Sequence, residues 1–157
     1  AIAGWGISVD AVVADFIAGA AERLVVEGAE RGGELLWVEG QGAILHPVYS
    51  GVTLGLYHGS VPHLLVLCHQ AGSTHIEGAG GGPHPIPPLS ELVELHERLA
   101  LPVRPAKVAA VALNTRLLDE PAARAAIAAA EEETGLPADD PVRFGASKLT
   151  DAVLLTQ

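Results

Sequence analysis

Three apolar runs without alternation, Leu35 to Val38, Leu64 to Leu67 and Val108 to Leu113, constrain this chain more than any other feature. A strand with one wet face alternates apolar and polar residues. A short run that does not alternate fits a strand covered on both faces, or a short buried helix. Hydrophobic residues make up 49% of the chain but aromatics only 4%, so the covering layers must be built from Ala, Val, Leu and Ile. The reading is α/β: a three-layer sandwich with a mostly parallel sheet.

The segments between the runs supply the helices. After Ser8, the residues Val9, Val12, Val13, Phe16, Ile17, Ala20 and Leu24 recur at three- and four-residue spacing, with Ser8 placed to cap and Asp10 in the first turn. A helix over about Pro47 to Leu56 is interrupted by Gly51 and Gly55. Ser90 to Ala100 carries Leu92, Leu95 and Leu99 on one side, with Ser90 as a one-way cap. Glu120 to Thr134 opens near Pro121 and stops before Gly135, and Ser147 to Leu155 closes the series. The predicted order is helix, strand, helix, strand, helix, strand, helix, helix, an alternation that favours parallel strands joined by crossovers.

A formal charge of −10, with nine scattered basic residues, argues against a nucleic-acid partner. No apolar run approaches the length of a membrane span, and the first ten residues lack the pattern of an export signal. Cys68 is the only cysteine, which excludes an internal disulfide and fits a reducing, cytoplasmic setting.

Ligands of parallel sheets gather at the carboxyl ends of strands, so the residues after each run carry the most information. They are Glu39-Gly40-Gln41-Gly42, Cys68-His69-Gln70 and Asn114-Thr115-Arg116. Glu39 suits Mg²⁺, and the glycines let backbone amides approach a phosphate; an exposed tight turn is the competing reading. The long loop Gln70 to Pro88 holds Gly78, Gly80, Gly81 and Gly82 and then four prolines, the composition of a lid or substrate loop. Its His75, Glu77 and His84, with His69, match no recognised zinc spacing. The two lysines, Lys107 and Lys148, do not follow the Gly-x-x-x-x-Gly spacing of a phosphate-binding loop.

Ile2-Ala-Gly-Trp-Gly-Ile, the segment from Asp10 to Gly19, Val38-Glu-Gly-Gln-Gly, His46-Pro-Val-Tyr, Leu67-Cys-His and Ala112-Leu-Asn-Thr-Arg follow one another along nearly the whole chain. Together they resemble a bacterial P-loop family of unknown function, one branch of which acts as a D-glutamate N-acetyltransferase, and which looks like a relative of dethiobiotin synthetase. The resemblance implies a single partial P-loop NTPase-like domain over residues 1–157, incomplete at its N-terminus, with a Rossmann-like domain and the phosphate loop lying upstream. It implies acyl transfer to the amine of an acidic amino acid, a small-molecule substrate, and Mg²⁺ with ATP or acetyl-CoA as cofactors. Asn114 takes the place of the base-reading residue, with Gly40, Gln41 and Gly42 at the nucleotide and Glu39 at the metal.

Within that mechanism His69 is the candidate general base, His46 the second, and Arg116 or Arg143 the clamp on a substrate carboxylate. For His69, a merely structural hydrogen-bonded ring is the competing reading. A regulatory binding module without chemistry and an ATP-dependent ligase are the alternative functions. A sheet lacking its first strand implies homo-oligomerisation or docking with the upstream domain.

Overall fold

The computed structural model describes residues 6–78 and 84–156, so most of the opening motif and most of the glycine run lie outside the described residues. Residues 62–75 with 84–156 form one compact unit, and 6–61 with 76–78 another.

The first unit is organised on a parallel sheet of three strands in the order β1 (Leu64–Gln70), β4 (Lys107–Asn114), β5 (Ala138–Asp139). Two further short strands, β2 (His75–Ile76) and β3 (His84–Pro85), pair separately. The strand with the longest apolar run takes the centre: Val108, Ala109, Ala110, Val111 and Leu113 of β4 are all buried. Ala110 packs with Leu149 and Ala152 of α5 (Ser147–Leu155), with Ala112 alongside, so α5 covers one face. Beyond the register shift between Leu65 and Val66, Val111 and Leu113 belong to the other face by alternation. α3 (Leu89–Arg98) packs on β4 and α4 (Glu120–Thr134) on β5, and they bring in the buried Leu92, Ala123 and Ile127. Small side chains suit this arrangement because alanines let helices lie close to the strands.

Local signals explain the helix ends. The Asp119 carboxylate accepts the Ala122 amide at 2.9 Å, Pro121 stands in the first turn, and Gly135 closes α4 in the left-handed conformation at φ 68°. The predicted cap on α3 is corrected. The helix starts at Leu89, and the amide and hydroxyl of Ser90 donate to the Glu133 carboxylate, at 3.0 and 3.4 Å. A carboxylate borrowed from α4 thus satisfies an amide that no local side chain reaches. Both lysines are engaged in ion pairs, Lys107 with Glu97 and Lys148 with Glu131, each at 2.6 Å.

The second unit is helical. Two short 3-10 turns, Val9–Ala11 and Ala14–Phe16, precede α1 (Ile17–Glu30), which packs on α2 (Ser50–Ser60). The predicted single helix after Ser8 therefore starts later, and Ser8 makes no side-chain cap. Three-residue spacing serves a 3-10 turn as well as an α-helix, so Val9 and Val12 still reach the Ile17, Ala21 and Leu56 core.

The expected strand over Leu35 to Val38 is not formed. The Gly33 amide bonds the Gly28 carbonyl at 3.0 Å, folding the chain back just before the run. The run continues as irregular backbone, with Trp37 62% and Val38 47% exposed, so neither face is covered.

Gly55, which reads as an interruption of the helix, and Gly59, beyond its expected end, are what bring α1 and α2 together. A Cβ at Gly55 would lie 2.6 Å from the Ile17 Cγ2 methyl, and one at Gly59 would fall on the Ala18 carbonyl. A methyl side chain can shift, whereas backbone cannot without moving a helix. Gly59→Ala is therefore expected to cost about 1–3 kcal/mol, seen as a lower urea midpoint of the helical circular-dichroism signal. An unchanged midpoint would contradict the packing described.

Candidate functional site

The carboxyl ends of β1 and β4 lie side by side: His69 pairs with Leu113, Gln70 with Asn114, and the Ala71 amide donates to the Asn114 carbonyl at 3.1 Å. Because paired residues share a face, His69 stands on the side of Val111 and Leu113, while Asn114 stands on the side of Ala112 and α5. The two candidates thus occupy one end of the sheet but opposite faces.

Burial lowers the His69 pKa below its ordinary 6.5, and the negative charge of Glu133 pulls it part of the way back. A half-buried imidazole in this setting is neutral at pH 7 and able to accept a proton. Its neighbour Cys68 is exposed on the other face, and its thiol pKa is raised by desolvation, so the thiolate is disfavoured.

The end of β4 is held by a residue the sequence did not single out. Asp140, 3% exposed, accepts the Thr115 amide at 2.9 Å and the Thr115 hydroxyl at 2.6 Å through Oδ2. Through Oδ1 it accepts the amides of Val142 and Arg143, both at 3.0 Å. Burial pushes its pKa up, but the Thr115 hydroxyl and the three amides outweigh that and hold it below the ordinary value. One carboxylate therefore ties the segment after β4 to the loop after β5. Arg143 adds a second tie, donating to the carbonyls of Leu118 and Asp119 at 2.9 and 3.4 Å. Phe144 adds a third, with the Arg124 guanidinium 4.3 Å above its ring.

On this scaffold Asn114 is exposed, and its Oδ1 accepts the Arg116 amide at 3.1 Å. The Arg116 side chain is also exposed. Arg143, the other expected clamp, directs guanidinium donors to the loop carbonyls.

The remaining candidates belong to the helical unit. Glu39 and Gly40 are exposed in irregular backbone rather than at a strand end. The Gln41 carbonyl accepts the Thr53 hydroxyl at 2.5 Å. Gly42 has φ 67°, and a Cβ there would stand 2.6 Å from the Tyr49 Cβ, so the glycine serves a tight turn. His46 is buried beside the Tyr49 ring at 4.5 Å, and its Nδ1 accepts the Val48 amide at 3.1 Å. In a neutral ring that leaves the proton on Nε2, a donor rather than a base. Among the described residues no three His, Cys, Asp or Glu side chains cluster as a metal site, and a lone exposed Glu39 does not make one. A cleft of about 470 Å³ beside α4, lined by Arg124, Ile127, Asp139, Phe144 and Lys148 among others, includes none of the expected site residues. No helix among the described residues is long and apolar enough to cross a membrane.

Residues 1–150 match the family described as "Domain of unknown function (DUF1611_C) P-loop domain". A protein of Tritonibacter scottomollicae named D-glutamate N-acetyltransferase is 40% identical over 97% of this chain, which covers 45% of that relative. One of the same name from Pseudoalteromonas sp. is 34% identical over 94% of this chain, covering 44% of the relative. The crystal structure of a DUF1611 family protein from Anabaena variabilis ATCC 29413 superposes with a TM-score of 0.86 at 46% identity, across 98% of this chain and 44% of that one. The chain thus spans less than half the length of the relatives it matches. By sequence and by fold, it belongs to the DUF1611 P-loop domain family.

Proposed function

We propose that this chain is the P-loop domain of a D-glutamate N-acetyltransferase-like protein, which transfers an acyl group to the amine of an acidic amino acid, with a nucleotide or acyl carrier bound at the carboxyl ends of the strands. The observation that carries the reading is 40% identity, over nearly the whole chain, to a relative of that name. The strand-end chemistry is compatible with it. His69 is a neutral imidazole suited to take the proton released when the amine attacks the acyl carbonyl, and the exposed Arg116 offers donors to a substrate carboxylate. An acyl carrier such as acetyl-CoA supplies the activated carbonyl when bound. His46, with its proton on Nε2, suits a hydrogen-bond donor.

Glu39 is the residue that would hold Mg²⁺, and among the described residues it belongs to no cluster of three metal-ligating side chains. Asn114 is assigned to the nucleotide base. The setting is cytoplasmic, and the functional assembly is a homo-oligomer or includes an upstream domain.

The test is an assay of D-glutamate with acetyl-CoA in one arm and with ATP and Mg²⁺ in another, run on this chain and on a version extended to the length of its relatives. The extended protein should release free thiol and N-acetylglutamate, and this chain alone none. Release of ADP and phosphate instead would indicate a ligase, and no turnover with retained binding would indicate a regulatory module.

A further inference from the structure

α2 begins without a cap. Its N-cap residue Tyr49 makes no side-chain bond to the first turn, and the first amide to find its ordinary helical acceptor outside the helix is that of Thr53, on the Tyr49 carbonyl at 3.1 Å. The Ser50 amide is taken by the His46 carbonyl at 2.9 Å, which leaves the amides of Gly51 and Val52 without an acceptor among the described residues. Amides in this position carry the positive end of the helix dipole and suit an oxyanion.

An uncapped helix start is common at a protein surface, but here a buried side chain adds to it. His46 is only 7% exposed, and its Nδ1 accepts the Val48 amide, so the proton of the neutral ring lies on Nε2. That N–H meets no acceptor among the described residues. No buried side-chain nitrogen or oxygen there lacks a partner, so Nε2 is the part of the ring that reaches solvent. The ring lies 4.5 Å from that of Tyr49, and the His46 carbonyl holds the amides of both Tyr49 and Ser50, so the opening stands beside the first turn of α2. A donor fixed in this way loses little freedom when a ligand arrives. There is room for one: a Cβ at Gly51 would meet no atom within 4 Å.

We propose that the start of α2 together with His46 is an oxyanion site, in which the amides of Gly51 and Val52 and the Nε2–H of His46 donate to one carboxylate or phosphate group. The site lies wholly within the helical unit and does not depend on the reading of the strand ends. Its three donors are neutral, so a bare anion is held by fixed dipoles alone and its affinity is modest. A carboxylate of an acidic amino acid and a phosphate of a nucleotide or acyl carrier present the same oxygens, and the chemistry of recognition is shared between them.

The experiment titrates this chain, labelled with ¹⁵N, with inorganic phosphate and separately with acetate, against sodium chloride at matched ionic strength, and follows the amides of Gly51 and Val52. Either oxyanion is expected to move both amides saturably, and chloride to leave them in place. His46→Phe keeps a ring against Tyr49 but removes the donor, and should weaken binding roughly tenfold, the scale of one hydrogen bond to a charged group. It also strands the Val48 amide, so Gly51→Leu serves as a second variant: its side chain enters open space without a clash and should weaken binding by a similar factor. D-glutamate and ATP, each compared with the bare anion of its kind, separate the two sources of the oxyanion. No saturable movement with either anion, an equal response to chloride, or an affinity unchanged in both variants would overturn the site.

Discussion

Replacing Asp140 with alanine is expected to cost the sheet-containing unit about 3–5 kcal/mol, the scale at which losing one partner of a buried charged network is felt. The reason is the number of donors left behind. The Thr115 amide and hydroxyl and the amides of Val142 and Arg143 all converge on this one carboxylate. The two Thr115 donors are wholly buried, and each buried donor without an acceptor costs about 1–3 kcal/mol. Asp140→Asn keeps one acceptor oxygen and should lose less. Denaturant unfolding of the three proteins checks the order: wild type, then Asn, then Ala.

The same carboxylate sets a pH dependence whose sign follows from its lowered pKa. In the unfolded chain Asp140 takes up its proton near its ordinary 3.8, whereas in the folded chain the hydrogen bonds delay protonation to lower pH. Its contribution is therefore complete above the unfolded value and is lost as the pH falls through the folded one. Wild-type stability should fall more steeply than that of Asp140→Ala below about pH 4. Parallel curves for the two proteins would mean that Asp140 is not held as the structure shows.

The parts of the fold that could be read from sequence are those whose signals are local. α4 announces itself by Asp119, Pro121 and Gly135, and its observed ends match the expected ones. The runs over Leu64 to Leu67 and Val108 to Leu113 became β1 and β4, because each has a strand partner and helices to cover it. Leu35 to Val38 has the same composition, but the turn at Gly33 and the lack of a strand partner among the described residues leave it irregular. β5 is two residues long, too short for any period to show. Ser90 misled because capping depends on which carboxylate tertiary structure brings near, and Glu133 lies 43 residues away.

The site divides in the same way. His69 and Asn114 stand at strand ends as expected, because the carboxyl end of an apolar run is a predictable position. Asp140 was not singled out, since in Asp139-Asp140-Pro141 a buried anchor looks the same as a solvated turn residue. The one available signal was the Asp-Pro pair, which favours a side chain bonded to the backbone just ahead of it. Gly55 shows the reverse error: it is a poor helix former by propensity, yet it lies against Ile17 of α1 where a Cβ would crowd the contact.

In the protein at the length of its relatives, His69→Ala is expected to lower kcat for acyl transfer by about 10²–10⁴, the range a positioned general base contributes, with little change in KM for the acyl donor. The proton chemistry makes this specific. A general base works in its neutral form, so the rate should rise with pH through the His69 pKa, which burial places below 6.5. Glu133 moves that limb in a predictable direction, because its charge raises the His69 pKa against the effect of burial. Glu133→Gln keeps an oxygen to accept the Ser90 amide but removes the charge, so the His69 pKa should fall further and the acid limb of the rate profile should move to lower pH. A purely structural His69 would leave that limb where it is. Turnover by His69→Ala within about threefold of wild type, well inside what a general base supplies, would remove the residue from the chemistry and leave it as a packed ring at the end of β1.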